Sequence, residues 1–165
     1  MSLIVEDGSR VAGANTYASV ATIDAYHSDR GNTTWTGEDA TKEAAILRAM
    51  TYIDGLCWRG IKATQSQTLE WPRGYMEDRN GYSINSDVVP TVVVQALCEA
   101  ALRELVDAGA TMPDASRDDV LNSMEIVGAV KMAWSAAAPT RTDFPIIKTL
   151  LKGLIAPSGG ARLML

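Results

Sequence analysis

Histidine and phenylalanine occur once each in this 165-residue chain, and cysteine only twice. Those scarcities exclude whole classes of chemistry. A structural zinc site needs four thiolate or imidazole ligands in paired spacing. Cys57 and Cys98 form no CxxC pair, and His27 has no second histidine to join, so it reads as a packing or surface residue. Both cysteines sit in apolar sequence surroundings, where a free thiol behaves as a small hydrophobe. Buried, reduced thiols are expected, as in most intracellular proteins. No apolar run approaches the ~20 residues of a membrane span. Glu6, Asp7 and Arg10 interrupt any segment that could serve as a secretion signal. A soluble protein made in the cytoplasm, with no membrane partner, is the expectation.

Catalytic signatures are missing too. The chain has no GxGxxG, no Walker A loop, no GxSxG elbow and no HExxH. A Ser–His–Asp arrangement can be drawn through His27, but any chain with one histidine allows that drawing. Asp24, Asp29, Glu38 and Asp39 invite a reading as paired acids. Helix caps and solvated faces explain them more simply, because Asp is common at helix starts. Nor is there a basic excess: 15 Lys and Arg face 20 Asp and Glu, for a net charge of −5. That balance argues against a broad phosphate-binding surface. The expectation is a protein that is not an enzyme and uses no metal and no cofactor.

What is present is enough to fold. The chain is 47% hydrophobic, too apolar for general disorder, and of a length suited to one domain. That domain is expected over 1–157, with 158–165 as a flexible tail. Ser19 caps a helix over 20–30, with Val20, Ile23 and Tyr26 or His27 inward and Gly31 closing it. Asp39 or Thr41 caps a second helix that runs to Asp54, with Gly55 just past its end. Ile46, Ala49, Met50 and Ile53 form its apolar stripe. The most apolar helix spans 90–107, with Pro90 in its first turn. Its polar positions Gln95, Glu99, Arg103 and Asp107 recur every fourth residue. Being apolar over most of its circumference, it must be covered on most sides. Asn80-Gly81 is a two-residue turn signal that marks a short β-hairpin, Val127-Gly128 centres a second, and Asp143 caps a last helix over 145–155. The fold class is therefore mainly α: a small helical bundle around the 90–107 helix, with one or two short β-hairpins and flexible terminal arms.

One constellation stands out. Trp58-Arg59, Trp71-Pro72-Arg73, Tyr75, Arg79 and Tyr82 interleave aromatic and basic side chains. Such residues stack bases and neutralise phosphates in single-strand binding, and they dominate protein–protein hot spots. They also make ordinary core when each arginine pairs with a neighbour such as Glu70, Glu77 or Asp78. All three readings stay open from residue type. At the far end, Leu163-Met164-Leu165 follows a Ser-Gly-Gly joint with no evident core to join, which suits a partner or disorder.

Several short patterns occur in a familiar order: L-I-V-E-D-G at 3–8, A-N-T-Y at 14–17, A-Y-H-S-D-R-G at 25–31 and W-x-G at 35–37. L-E-W-P-R at 69–73, D-R-N-G at 78–81 and V-P-x-x-V-x-x-A at 89–96 follow. Together they resemble a family of tailed-phage and prophage proteins labelled DnaT-like single-stranded DNA-binding proteins. The resemblance implies similarity to the small helical head–tail connectors, or adaptors, of the virion neck. It implies a ring of copies, a dodecamer, below a portal protein and above a tail or stopper protein. Genomic double-stranded DNA would pass through its lumen without sequence-specific binding. The implied location is the virion neck, after assembly in the host cytoplasm. Arg162, Leu163, Met164 and Leu165, with Trp71, Arg73 and Arg79, are the expected partner contacts. The family label itself implies the alternative, a single-stranded DNA-binding accessory protein.

Overall fold

Sixteen residues of the apolar 90–107 stretch decide the architecture. In a computed structural model, which describes residues 2–113 and 144–156 together with the strand backbones at 124–126 and 130–132, they form helix α3, Thr91–Val106. Its N-cap is Pro90 at φ −60°, a residue that has no N–H to leave unpaired. Val93, Ala96, Leu97, Cys98, Ala100 and Ala101 are all buried. Helix α2, Asp39–Asp54, lies along α3 more extensively than any other element does. Ala45 and Ala49 of α2, like Ala96 and Ala100 of α3, are fully buried. Alanines on both helices let the axes approach closely. Helix α1, Val20–Asp29, and the short α4, Pro145–Leu150, cover other sides of α3. The expected helical bundle around this helix is what the chain forms.

Local signals match the structure at α1 and only in part at α2. Ser19 Oγ accepts from the Thr22 amide at 3.2 Å, the expected cap. The α2 N-cap is Glu38, and no side chain completes it. Neither Asp39 nor Thr41 caps; Asp39 sits in the first turn, where its charge still favours the positive helix end. Gly55 closes α2 in a right-handed conformation, so it is the cap residue and not a left-handed glycine beyond it. Helix α4 is shorter than the expected 145–155, passing into turns before Ile155 bridges Trp58. The expected Asp143 cap and the 158–165 tail lie outside the described residues.

Among the described residues, three antiparallel strand pairs complete the fold. Strands β1 (Ile61–Lys62) and β2 (Arg73–Gly74) pair, as do β3 (Met76–Glu77) and β4 (Ser83–Ile84). Between β3 and β4 the Gly81 amide donates to Asp78 O at 3.2 Å and Gly81 sits at φ +84°. That is a three-residue hairpin loop closed by a left-handed glycine. Strands β5 (Met124–Ile126) and β6 (Val130–Met132) form the other expected hairpin.

The N-terminal segment is not a flexible arm. Val5 bridges Thr16, and the buried Glu6 carboxylate accepts from the amides of Gly8, Arg10 and Val11, each at 2.8 Å. One side chain thus supplies the acceptors that a tight loop lacks, and the loop packs down. The thiols also divide against expectation: Cys98 is buried, but Cys57 is exposed.

Candidate interaction site

The aromatic–basic constellation splits into an interior half and an exterior half. Trp71 is fully buried and meets Trp58 edge to face, with centroids 5.5 Å apart. The end of α2 fixes this knot. Asp54 Oδ1 accepts from the Tyr17 hydroxyl at 2.5 Å and from the Glu70 amide at 2.9 Å. The same Tyr17 oxygen accepts from the Trp71 amide at 3.1 Å. Burial raises the Asp54 pKa despite those donors, and burial beside the Asp54 charge raises that of Tyr17.

Arg73 is equally committed. Its guanidinium donates to Arg59 O at 2.7 Å, Gly60 O at 3.0 Å and Glu70 O at 3.1 Å, and it pairs with the Glu70 carboxylate. Only 6% of Arg73 is exposed. Gly60 has to be glycine here. It sits at φ +66°, and a Cβ would meet Gly74 O and the Met76 sulfur. Trp71 and Arg73, expected as partner contacts, are therefore scaffold; they hold the 59–74 loop to the core. Arg79 lies at the surface, where its guanidinium donates to the carbonyls of Thr149, Leu150 and Lys152. It caps the end of α4 and ties the β3–β4 hairpin to it. Arg162, Leu163, Met164 and Leu165 lie outside the described residues.

Three large side chains remain outside. Tyr75 is 89% exposed, Tyr82 72% and Ile61 52%. Arg59 is exposed and lines one groove with Tyr75, its Nη1 donating to Gly153 O at 3.3 Å. A groove of about 390 Å³ runs between the hairpin and Gly153, lined by Arg59, Tyr75, Met76, Glu77, Asp78 and Arg79. Tyr75 holds φ +57°, a left-handed conformation that glycine adopts freely and tyrosine does not. Tyr75, Tyr82 and Ile61 were not among the expected partner contacts. For Tyr75 the signal is the period of two, since it is exposed where Met76 is buried.

Of the α3 polar stripe Glu99 is buried, Gln95 and Arg103 are half-buried and Asp107 is exposed. Glu99 accepts from the Tyr26 hydroxyl at 2.9 Å and pairs with Arg103 at 3.0 Å. The Arg103 guanidinium lies 5.5 Å from the Phe144 ring centroid. His27 is a packing residue, as expected. Cys98 O can only accept, so Nε2–H donates to it at 3.1 Å, and Nδ1 accepts from the Asn32 amide at 3.0 Å. Burial chiefly lowers its pKa. Among the described residues, no group of three His, Cys, Asp or Glu could hold a metal ion. No described helix is long and apolar enough to cross a membrane. The groove therefore offers hydrogen bonds, two guanidinium groups and aromatic area. Those are recognition chemistry.

A family model described as "Putative DnaT-like ssDNA binding protein" matches residues 1–165. No curated protein matches, and neither does any solved structure.

Proposed function

The chain belongs to this DnaT-like family, and from that premise we propose that it is a non-catalytic head–tail connector of a tailed phage. In this reading, copies assemble as a ring on the portal protein and extend the DNA channel toward a tail or stopper protein. The observation that carries the reading is the burial of the interior half of the aromatic–basic constellation. Trp58, Trp71 and Arg73 are the residues best suited to stack bases and neutralise phosphates, and they are core. A single strand would find none of them at the surface. The net charge of −5 suits a lumen along which DNA slides without adhering.

A second reading rests on a specific observation. Tyr75 is exposed in the groove beside Arg59 and Arg79, an aromatic ring with cations at hand, and Tyr82 is exposed on the same hairpin. One pair of measurements separates the two. Purified portal mixed with the chain should gain a ring of density in negative-stain images. A fluorescent oligothymidine should show no binding whose affinity falls steeply between about 50 and 200 mM salt. Portal without added density, together with steep salt-dependent oligonucleotide binding, would overturn the connector reading in favour of the second.

A further inference from the structure

The residues after α4 are pinned beside the groove. The Arg59 amide donates to Leu154 O at 2.9 Å, the Ala156 amide donates to Cys57 O at 2.7 Å, and Ile155 bridges Trp58. Arg59 and Gly153 flank this antiparallel pairing, and both line the groove. Residues 157–165 follow from Ala156, whose partner Cys57 stands two residues from Arg59. Pro157 has no amide with which to extend the pairing. Ser158-Gly159-Gly160 reverse a chain at little steric cost. The five residues 157–161 reach at most ~17 Å, while two strand residues separate Cys57 from Arg59 by only ~7 Å. The tether is long enough to bring Arg162 back to the groove.

The groove has open positions of the matching kind. Arg79 directs its guanidinium donors to the carbonyls of Thr149, Leu150 and Lys152, and Arg59 Nη1 donates to Gly153 O. The carboxylates are less engaged. Asp78 Oδ1 accepts from the Asn80 and Tyr82 amides. Among the described residues no cation forms an ion pair with Asp78 or Glu77. What stands open is acceptors, and a guanidinium offers only donors. Apolar area lies beside them: Tyr75 is almost fully exposed, and the exposed Ile61 pairs with Gly74 next to it. Tyr75 keeps its left-handed backbone there, and strain of this kind collects at binding sites. A nucleic-acid strand would bring its phosphates against the two carboxylates.

We propose that residues 158–165 fold back into this groove of their own chain, with Arg162 on the Glu77 and Asp78 carboxylates and Leu163, Met164 and Leu165 against Tyr75 and Ile61. The contact is intramolecular, because a short flexible tether holds its ligand at about millimolar effective concentration. The tail of a second copy competes only near that concentration. The contact is also autoinhibitory: a partner of this face, nucleic acid included, has to displace the tail. It stands or falls independently of the connector reading.

Trypsin cleavage after Arg162 tests it, with release of Leu163–Leu165 timed by mass spectrometry on the native full chain and on a synthetic peptide of 157–165. A tail whose free peptide has a Kd of about 0.1 mM is docked about 90% of the time at about 1 mM effective concentration, so cleavage through the open state should be about tenfold slower than in the peptide. The slowing should be the same from about 1 to 100 μM protein, since the contact lies within one chain. Glu77→Lys and Tyr75→Gly should each remove most of it, with thermal melts showing both variants folded. In amide NMR spectra of the full chain, Leu163→Ser with Leu165→Ser should shift the signals of residues 75–79 and leave those of α2 in place. Cleavage at the peptide's rate sinks the proposal. So does protection that survives both groove variants, or amide shifts confined to other regions. Protection that grows with protein concentration would give the tail to a neighbouring copy and overturn the intramolecular contact.

Discussion

Replacing Glu104 by glutamine should be among the most damaging single changes outside the apolar core. The side chain is 1% exposed and ends in four hydrogen bonds. Oε1 accepts from the Thr111 amide at 2.9 Å and its hydroxyl at 2.6 Å. Oε2 accepts from the Gly109 amide at 2.8 Å and from Arg48 Nε at 2.9 Å. Glutamine has the same shape but turns one oxygen into a donor. Whichever way the amide is oriented, the backbone N–H of Gly109 or of Thr111 then faces an NH2 group. A hydrogen bond to a charged group contributes about 1.5–3 kcal/mol, and a stranded donor adds a desolvation cost. The expected loss is about 2–4 kcal/mol, a large share of the 5–15 kcal/mol typical of a domain. Arg48→Met should cost about 1 kcal/mol or less, since Arg48 is 41% exposed and three donors remain on the carboxylate. Urea titration followed by tryptophan fluorescence reads both. With a slope near 2 kcal/mol per molar, the Glu104→Gln midpoint moves down by about 1–2 M. The pH dependence adds a second check. Burial alone would raise the Glu104 pKa, but the bonds from Thr111, Gly109 and Arg48 hold it below the ordinary carboxylate value. A depressed folded-state pKa gives stability that is present above the unfolded value and lost as pH falls through the folded one. The gap between wild type and Glu104→Gln should therefore close on acidification. A loss under about 0.5 kcal/mol, or a gap that stays constant down to pH 3, refutes the reasoning.

The two thiols should react very differently. Burial pushes the Cys98 pKa up to about 12, while Cys57 is exposed. A chromogenic disulfide reagent at neutral pH should modify one thiol per native chain and two only after denaturation, because the thiolate is the nucleophile; two fast-reacting thiols in the native state would contradict this burial. Below the ordinary histidine pKa of about 6.5 the protein should lose stability as His27 is forced to charge. Its folded pKa is lowered by burial, so the unfolded chain binds the proton first and stability falls as pH drops through that window. His27→Gln should flatten that part of the profile; an unchanged slope in the variant would assign it to other groups.

Residue patterns alone determined the helices. The apolar circumference of 91–106, the Ser19 cap and the stripe at Ile46, Ala49, Met50 and Ile53 are local signals, and each produced the element it announces. The hairpin at Asn80-Gly81 was legible for the same reason, because only a few residues suit its turn. Side-chain destinations were not legible. Arg73 and Arg59 look alike in the sequence, yet one is enclosed by loop carbonyls and the other stands at the surface. Glu104 carries no mark that separates it from an ordinary solvated glutamate, and its role depends on Arg48 in another helix and on the turn after α3. Contacts between residues far apart in the chain decide such matters. The tertiary structure placed Trp71 inside and left Tyr75 outside, because the Asp54–Tyr17 anchor at the end of α2 pulls the tryptophan knot inward and turns the next strand's alternate face to solvent.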